Sequence, residues 1–234
     1  MTPNRFPAPR WLLVLAIALP FGVLGDALWV RASGPAGPPW QGMDDGWNDL
    51  VGGSDSDLWW HLAELLNRLG AEPGLVVLAA GVVVLLLMRR WRSAVYTCAV
   101  VAATSLVIDV LKAVPNRARP DDIMVHTASW SFPSGHSARM AAFVVVIAVV
   151  AVPARRLRIW WPLAALLTLA MMWARTWQHA HWLSDTIAGA ATGWAVAVFL
   201  WWALSPLLDR ERALREAAAE PAGQTSGPGT ERLS

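Results

Sequence analysis

Two histidines and an aspartate in the C-terminal half of the chain have the residue types and the spacing for nucleophilic group transfer. His181 and Asp185 are four residues apart, which on a helix places both on one face. The carboxylate can then accept a hydrogen bond from one ring nitrogen and leave the other free to attack. His136 stands on another predicted helix and can protonate a leaving oxygen as a general acid. A purely structural His–Asp pair is the alternative.

Three cations accompany these residues and indicate what the nucleophile would attack. Lys112, Arg119 and Arg175 stand close to the ends of apolar segments. The planar guanidinium of Arg119 can hold two oxygens of a phosphoryl group, and Pro120 restricts Arg119 to an extended backbone. Such a cluster stabilises the charge that gathers on equatorial oxygens in the transition state. A lone lysine at a helix end often only extends to the headgroups, but Lys112 is not alone.

The string Pro133-Ser134-Gly135-His136 adds an anion site at the start of a predicted helix. The Ser134 hydroxyl and the first free backbone amides would face an anion at the positive helix terminus. Gly135 lets the backbone come close to a ligand. Ser and Gly are also ordinary helix N-cap residues, so the string alone is weak.

The elements that must position these residues are membrane spans. The 234-residue chain is 56% hydrophobic and only 15% charged, with a mean hydropathy of +0.41. These values are typical of membrane proteins. We predict an all-α integral membrane protein, a bundle of six transmembrane helices with its active site at the outer membrane boundary. The six predicted spans are 11–30, 73–88, 94–111, 137–152, 159–173 and 186–204.

Arginines next to short loops predict the orientation, because cytoplasmic loops carry the excess of positive charge. They precede the first span, separate the second from the third and the fourth from the fifth, and follow the sixth. This pattern predicts a multi-pass plasma membrane protein with both termini in the cytoplasm. The segments 31–72, 112–136 and 174–185, which hold every candidate site residue, would then lie outside. A net charge of +2 without a basic stripe argues against nucleic acid.

The chain divides into three parts on this basis. Residues 1–10 form a cytoplasmic N-terminus, 11–215 the six-span domain, and 216–234 a cytoplasmic tail whose Ala/Gly/Pro-rich composition predicts disorder. The outer segment 31–72 is Gly/Pro-rich and then acidic. It ends in a possible amphipathic helix over 58–69, so we predict that it covers the outer face.

The three motifs together resemble those of the type 2 phosphatidic acid phosphatase superfamily. They are Lys112-x6-Arg119-Pro120, Pro133-Ser134-Gly135-His136 and Arg175-x5-His181-x3-Asp185, in the order and spacing of that family. The resemblance covers 112–185 in motif and the span layout in outline. One departure is Ala174, where the family usually has Ser before the arginine.

The resemblance implies a lipid phosphate phosphatase that needs neither metal nor cofactor. His181 would form a phosphohistidine, Asp185 would orient it, and His136 would protonate the departing oxygen. The phosphoryl oxygens would be bound by Lys112, Arg119, Ser134, Gly135 and Arg175. Substrate candidates are polyprenyl pyrophosphate, phosphatidic acid and phosphatidylglycerol phosphate, among which the resemblance does not choose. A lipid phosphotransferase and a non-catalytic transporter or lipid-binding scaffold are the alternatives.

Overall fold

The described residues of the computed structural model, 10–52, 58–127 and 129–219, fold into helices joined by short connections. The elements in chain order are α1 (Arg10–Ser33), a 3-10 turn (Gly34–Ala36), α2 (Gln41–Val51), α3 (Leu58–Gly70), α4 (Glu72–Leu87), α5 (Trp91–Lys112), α6 (Gly135–Val150), a second 3-10 turn (Ala154–Arg156), α7 (Leu157–Trp177) and α8 (Leu183–Ala219). This part of the chain contains no strand, so the predicted all-α membrane fold is confirmed.

Each of the six predicted spans coincides with a helix, but fewer helices have the length to cross a membrane alone. Four helices are long and apolar enough to cross a membrane: α1, α5, α7 with its preceding turn, and α8. A fifth span results if α3 and α4, which meet at a bend of 50°, are taken together. Helix α6 has 16 residues, or about 24 Å, against a hydrocarbon core of roughly 30 Å. The count of six spans therefore stays a prediction.

Two glycines allow a close contact between α6 and α8. A Cβ at Gly189 would collide with the carbonyl oxygen of Ser134, and one at Gly193 with that of Ala138. Glycines four residues apart lie on one helix face and let two backbones touch, as in small-xxx-small packing. This contact sets the N-terminal ends of α6 and α8 side by side, and these ends carry two of the three motifs.

The segment 31–72 contains two helices that cover this end of the bundle. Helix α3 corresponds to the amphipathic helix predicted over 58–69, and it packs on α7 and α6. Helix α2 lies in the acidic stretch, where no helix was predicted, and it packs on α7 and α8.

At the other end of the bundle, α8 continues to Ala219. The first four residues of the tail predicted to be disordered, 216–219, are thus helical, and 220–234 lie outside the described residues. The reason for the difference is local, because 210–219 is rich in Ala, Arg, Glu and Leu, all strong helix formers.

Candidate active site

His181 lies in the short connection between α7 and α8 rather than on α8, which begins at Leu183. Its backbone amide donates to the carbonyl of Arg175 at 3.3 Å, in the turn that ends α7. The Nδ1 atom of His181 is 3.7 Å from Oδ2 of Asp185, which exceeds hydrogen-bond length. The spacing in sequence therefore does bring the two buried side chains together, but without the hydrogen bond expected on a shared helix face.

Asp185 is fully buried at the start of α8 and is held by other donors. Its Oδ1 accepts from Nη1 of Arg117 at 2.6 Å. Its Oδ2 accepts from the backbone amide of Trp182 at 3.1 Å and from the hydroxyl of Ser131. A carboxylate with this many donors is stabilised as an anion and cannot rotate freely. It therefore faces His181 as a fixed negative charge.

Arg119 and Lys112 converge on the same side of His181. Nη1 of Arg119 is 3.3 Å from Nε2 of His181, the ring nitrogen that points away from Asp185. Nη2 of Arg119 donates to the carbonyl of Trp130 at 3.2 Å, and Nζ of Lys112 donates to that same carbonyl at 2.7 Å. Two cations share one neutral oxygen, so an anion placed there would have two charged donors available.

Ser134 and Gly135 form the start of α6. Ser134 is the N-cap residue, and its hydroxyl oxygen accepts from the backbone amide of Ser137 at 3.4 Å. The amide of Ser134 donates to the backbone carbonyl of Asp185 at 2.9 Å, which joins the starts of α6 and α8. The N-cap reading of Ser134 is thus confirmed. Anion binding at this positive helix end stays a prediction.

His136 is the second residue of α6, and α3 covers it from above. A Cβ at Gly70, the last residue of α3, would press on the ring of His136. Nε2 of His136 is buried and makes no hydrogen bond within the described part of the chain. A buried ring nitrogen without a protein partner is available to exchange a proton with a ligand oxygen.

Arg175 is buried near the end of α7, with a side chain only 1% exposed. Its Nη1 donates to Oε1 of Gln178 at 2.7 Å and to the side chain of Asn67 in α3. Its Nε is buried and has no hydrogen-bond partner among the described residues. The preceding Ala174 packs in an apolar cluster with Ala63 of α3. The hydroxyl usual at that position would therefore meet an apolar surface here.

The pKa of His181 lies well below its usual value, which is about 6.5. Burial is the largest cause, and the cations Arg175, Arg119 and Lys112 add to it. Burial also lowers the pKa of Arg119, against an opposing effect of Asp185. His181 is therefore neutral at neutral pH, which is the form of imidazole that can act as a nucleophile.

Arg117 is part of the candidate site, although the sequence motifs did not single it out. It is buried, and it bridges Asp185 of α8 to Asp44 of α2, with Nη2 of Arg117 2.7 Å from Oδ2 of Asp44. Asp44 also accepts from the amide and the hydroxyl of Ser184 at 2.9 and 2.6 Å. The sequence did contain a signal for this ion-pair network. Segment 31–72 is acidic, and the loop between α5 and α6 carries Arg117 in addition to the motif residue Arg119. Within the described residues, no group of three or more His, Cys, Asp or Glu has an arrangement that could hold a metal ion.

The fold and this site together define the class: a multi-pass helical membrane protein with buried histidines, a carboxylate and cations gathered at one end of its helices. The family model described as PAP2 superfamily matches residues 93–207, which include every site residue predicted from the sequence. The chain belongs to the PAP2 superfamily.

A solved structure gives a matching fold. It is the transmembrane PAP2-type phosphatidylglycerolphosphate phosphatase from Bacillus subtilis, which aligns with a TM-score of 0.62 at 20% sequence identity. The alignment covers 82% of this chain and 96% of that one. Among curated proteins, no significant sequence match is found.

Proposed function

We propose that this protein is a membrane lipid phosphatase that hydrolyses a phosphomonoester or pyrophosphate through a phosphohistidine on His181. The observation that carries the proposal is the orientation of the His181 ring. Nδ1 faces the fixed carboxylate of Asp185 at 3.7 Å, and Nε2 faces the guanidinium of Arg119 at 3.3 Å. A phosphoryl group held by that guanidinium would therefore lie next to Nε2.

In the first step, Nε2 of His181 attacks phosphorus, and the bond between phosphorus and the leaving oxygen breaks. The proton on Nδ1 faces Asp185, which stabilises the positive charge that develops on the ring. The leaving oxygen takes a proton from Nε2 of His136, the buried nitrogen without a protein partner. A bound phosphoryl dianion favours the protonated, donating form of His136.

In the second step, water attacks phosphorus and the bond to Nε2 of His181 breaks. His136, now neutral, takes a proton from that water, as microscopic reversibility requires. Free phosphate leaves, and both histidines return to their starting states. The water supplies the oxygen that replaces the lipid, so atoms and protons balance without a redox partner.

The cations supply the charge that the phosphoryl oxygens need. Lys112 and Arg119 donate to the carbonyl of Trp130 in the unliganded protein. Phosphoryl oxygens would take over these donors, because charge-assisted hydrogen bonds are roughly twice as strong as neutral ones. Arg175, whose Nε has no partner among the described residues, and the N-terminus of α6 at Ser134 and Gly135 would also contact the phosphoryl group. We call these five residues, Lys112, Arg119, Ser134, Gly135 and Arg175, the phosphoryl cradle. This set of charges supports catalysis without a metal ion or cofactor.

The substrate is a lipid phosphate, as membership in this superfamily and the membrane-spanning helices support. The similar Bacillus subtilis protein is described as a phosphatidylglycerolphosphate phosphatase. Phosphatidic acid and polyprenyl pyrophosphate carry the same terminal phosphoryl group, so a panel of the three lipids in detergent identifies the preferred one. The arginine pattern of the loops supports a plasma membrane enzyme with the site on the extracytoplasmic side and both termini in the cytoplasm.

The deciding experiment traps the intermediate. Purified protein is quenched in alkali during turnover of a lipid labelled with ³²P in its terminal phosphate, since phosphohistidine is stable to base. We expect label in the parent protein and none in His181→Gln, with hydrolysis lowered about a thousandfold or more. His126→Gln, which changes an exposed histidine outside the motifs, is the matched control. Full activity of His181→Gln would refute the proposed nucleophile.

Two product measurements separate the remaining alternatives. Release of free phosphate supports the phosphatase. Transfer of the label to an added alcohol in place of water would identify a phosphotransferase. Absence of any turnover by the parent protein on the whole panel would favour a non-catalytic transporter or scaffold.

A further inference from the structure

A cavity of about 650 Å³ lies at the end of the bundle opposite His181. It is enclosed by the C-terminal end of α6, the first turns of α1 and α7, and the second half of α8. The length of α6 separates it from the phosphoryl cradle by about 24 Å. It therefore belongs to neither the cradle nor the proposed reaction.

The charged groups that line this cavity are all positive. They are Arg90, Arg212 and Arg215, and no carboxylate lines it. Glu211 does not line the cavity: its carboxylate accepts from the backbone amides of Arg92 and Ser93 at the start of α5, and it pairs with Arg90, whose Nε is 3.4 Å from Oε1 of Glu211. The lining is thus positive, and the carboxylates that pair with Arg90 and Arg212 lie outside it.

The three arginines differ in what already holds them. Arg90 donates to the carbonyl of Val150 at 2.6 Å and pairs with Glu211. Arg212 donates to the carbonyl of Val149 at 3.1 Å and pairs with Asp209 at 2.9 Å. Both therefore close the C-terminal end of α6 and already have an anionic partner. Arg215 makes no hydrogen bond or ion pair within the part of the chain that the structure describes. Burial and the neighbouring Arg215 lower the pKa of Arg90, against an opposing effect of Glu211. Arg215 is the cation available to a ligand.

The rest of the lining is apolar and aromatic. Trp11, Trp161, Trp194 and Trp201 contribute their rings, and tryptophan suits the boundary between headgroups and hydrocarbon. A second groove of about 420 Å³ shares Trp161 and Trp194 with the cavity. It continues between α1, α7 and α8 toward the middle of the bundle, past small residues such as Ala165 and Ala191. A charged pocket thus opens into an apolar groove.

We propose that this cavity binds an anionic phospholipid, with its phosphate at Arg215 and one acyl chain along the groove past Ala165. The shape of the cavity and the charge of its lining favour a single ligand that has both an anionic headgroup and an apolar chain. A soluble anion would not use the apolar groove, and a neutral lipid would leave Arg215 without an anionic partner. Arginines near a membrane surface attract anionic headgroups with about 1 kcal/mol each. The site would lie in the leaflet opposite the active site and would hold the arginine-rich ends of α1, α6, α7 and α8 together.

Native mass spectrometry of the full chain in detergent tests the proposal with added phosphatidylglycerol and phosphatidylcholine of equal chain length. We expect one phosphatidylglycerol to bind more tightly than phosphatidylcholine. Arg215→Gln should weaken phosphatidylglycerol about fivefold. Arg210→Gln removes the same charge from an exposed position of α8 that does not line the cavity, and it should leave the affinity unchanged.

A second variant tests the tail. Ala165→Trp fills the groove without changing any charge. It should therefore weaken the binding of a long-chain phosphatidylglycerol about tenfold. The binding of dihexanoyl phosphatidylglycerol, whose chains are too short to reach the groove, should not change. Melting temperatures of all variants confirm that they are folded, and the lipid readout is independent of phosphatase activity.

Several outcomes would overturn the proposal. Equal binding of the two headgroups would mean an ordinary annular lipid. Equal losses in Arg215→Gln and Arg210→Gln would mean general surface charge. Displacement of the lipid by inorganic phosphate alone would mean a soluble-anion site, and a lipid-free dimer would mean that a second copy fills the groove.

Discussion

Arg117 and Asp185 form a buried ion pair, with Nη1 of Arg117 2.6 Å from Oδ1 of Asp185. The same guanidinium reaches Asp44 through Nη2, so one arginine neutralises two carboxylates from different helices. Asp185 lies beside His181, and Asp44 belongs to α2 of the covering segment. Arg117 therefore links the covering segment to the carboxylate that is proposed to orient the nucleophile.

Removing Arg117 should destabilise the protein strongly. Arg117→Ala leaves Asp44 and Asp185 buried without their counter-ion, and loss of one partner of a buried pair costs about 3–5 kcal/mol. The free energy of unfolding in detergent measures this effect. Arg68→Ala breaks the exposed Arg68–Glu64 pair on α3 and should change that free energy by less than about 1 kcal/mol. Equal effects in the two variants would show that Arg117 is not the link described.

Asp44 should act on catalysis through Arg117, as a positioning residue. In Asp44→Asn the guanidinium keeps a hydrogen-bond acceptor but loses one of its two anions, so it pulls more strongly on Asp185. We expect kcat to fall about tenfold while KM changes little, because a loss of 1.4 kcal/mol would be confined to the reacting geometry.

Asp45→Asn is the matched control for that change. Asp45 is the next residue of α2, is exposed, and accepts a hydrogen bond from Gln41. Its kcat should equal that of the parent protein. A rise in KM with unchanged kcat in Asp44→Asn would instead assign Asp44 to substrate binding.

The contribution of His136 should depend on the leaving group. A lipid alkoxide needs a proton as it departs, whereas p-nitrophenolate leaves readily without one. His136→Gln should therefore lower hydrolysis of a lipid phosphate about a hundredfold or more and lower that of p-nitrophenyl phosphate far less. Steady-state rates on both substrates give the ratio. A uniform loss on both would argue that His136 binds the phosphoryl group and does not transfer a proton.

The low pKa of His181 should appear in the pH dependence of stability. Below about pH 6.5 an unfolded histidine binds a proton, whereas folded His181 resists it because its pKa is lowered. The contribution of His181 to the free energy of unfolding is therefore fully present above about pH 6.5. It is lost as the pH falls, by up to about 1.4 kcal/mol per pH unit. Melting temperatures from pH 7 to pH 5 should fall more steeply for the parent protein than for His181→Gln. Parallel curves would contradict a lowered pKa.

Catalysis should not need a divalent metal. The proposed charge stabilisation comes from Lys112, Arg119 and Arg175, so lipid phosphate hydrolysis in excess EDTA should stay within about twofold of the untreated rate. Added magnesium after chelation is the control for recovery. A loss of activity that only metal restores would exclude the mechanism proposed for His181.

Much of the candidate site could be read from the sequence because its residues lie near the ends of apolar segments. The hydrophobic runs place His136 and Arg175 at helix ends, and the motif spacing relates His181 to Asp185. The partners of Asp185 could not be read in this way. Its principal partner, Arg117, is 68 residues away in sequence, and no local period relates residues on different helices.

The lengths of the helices and the contacts between them also could not be predicted from the local sequence pattern. The runs predict six spans, yet α4 and α6 are only 16 residues long, and α3 meets α4 at a bend that composition does not encode. Gly189 and Gly193 are unremarkable in an apolar run. They matter only because the backbone of α6 passes within contact of them.

Composition and motif spacing were enough to predict the membrane class, the apolar segments, the chemical groups near their ends and the resemblance to one superfamily. These follow from composition and from spacing over a few residues, which local physics controls. Three features are visible only in the folded chain: His181 lies outside α8, Asp185 is held by Arg117, and α2 contacts the site through Asp44. Those facts depend on how α6 and α8 pack and on buried charges that must find partners across the fold.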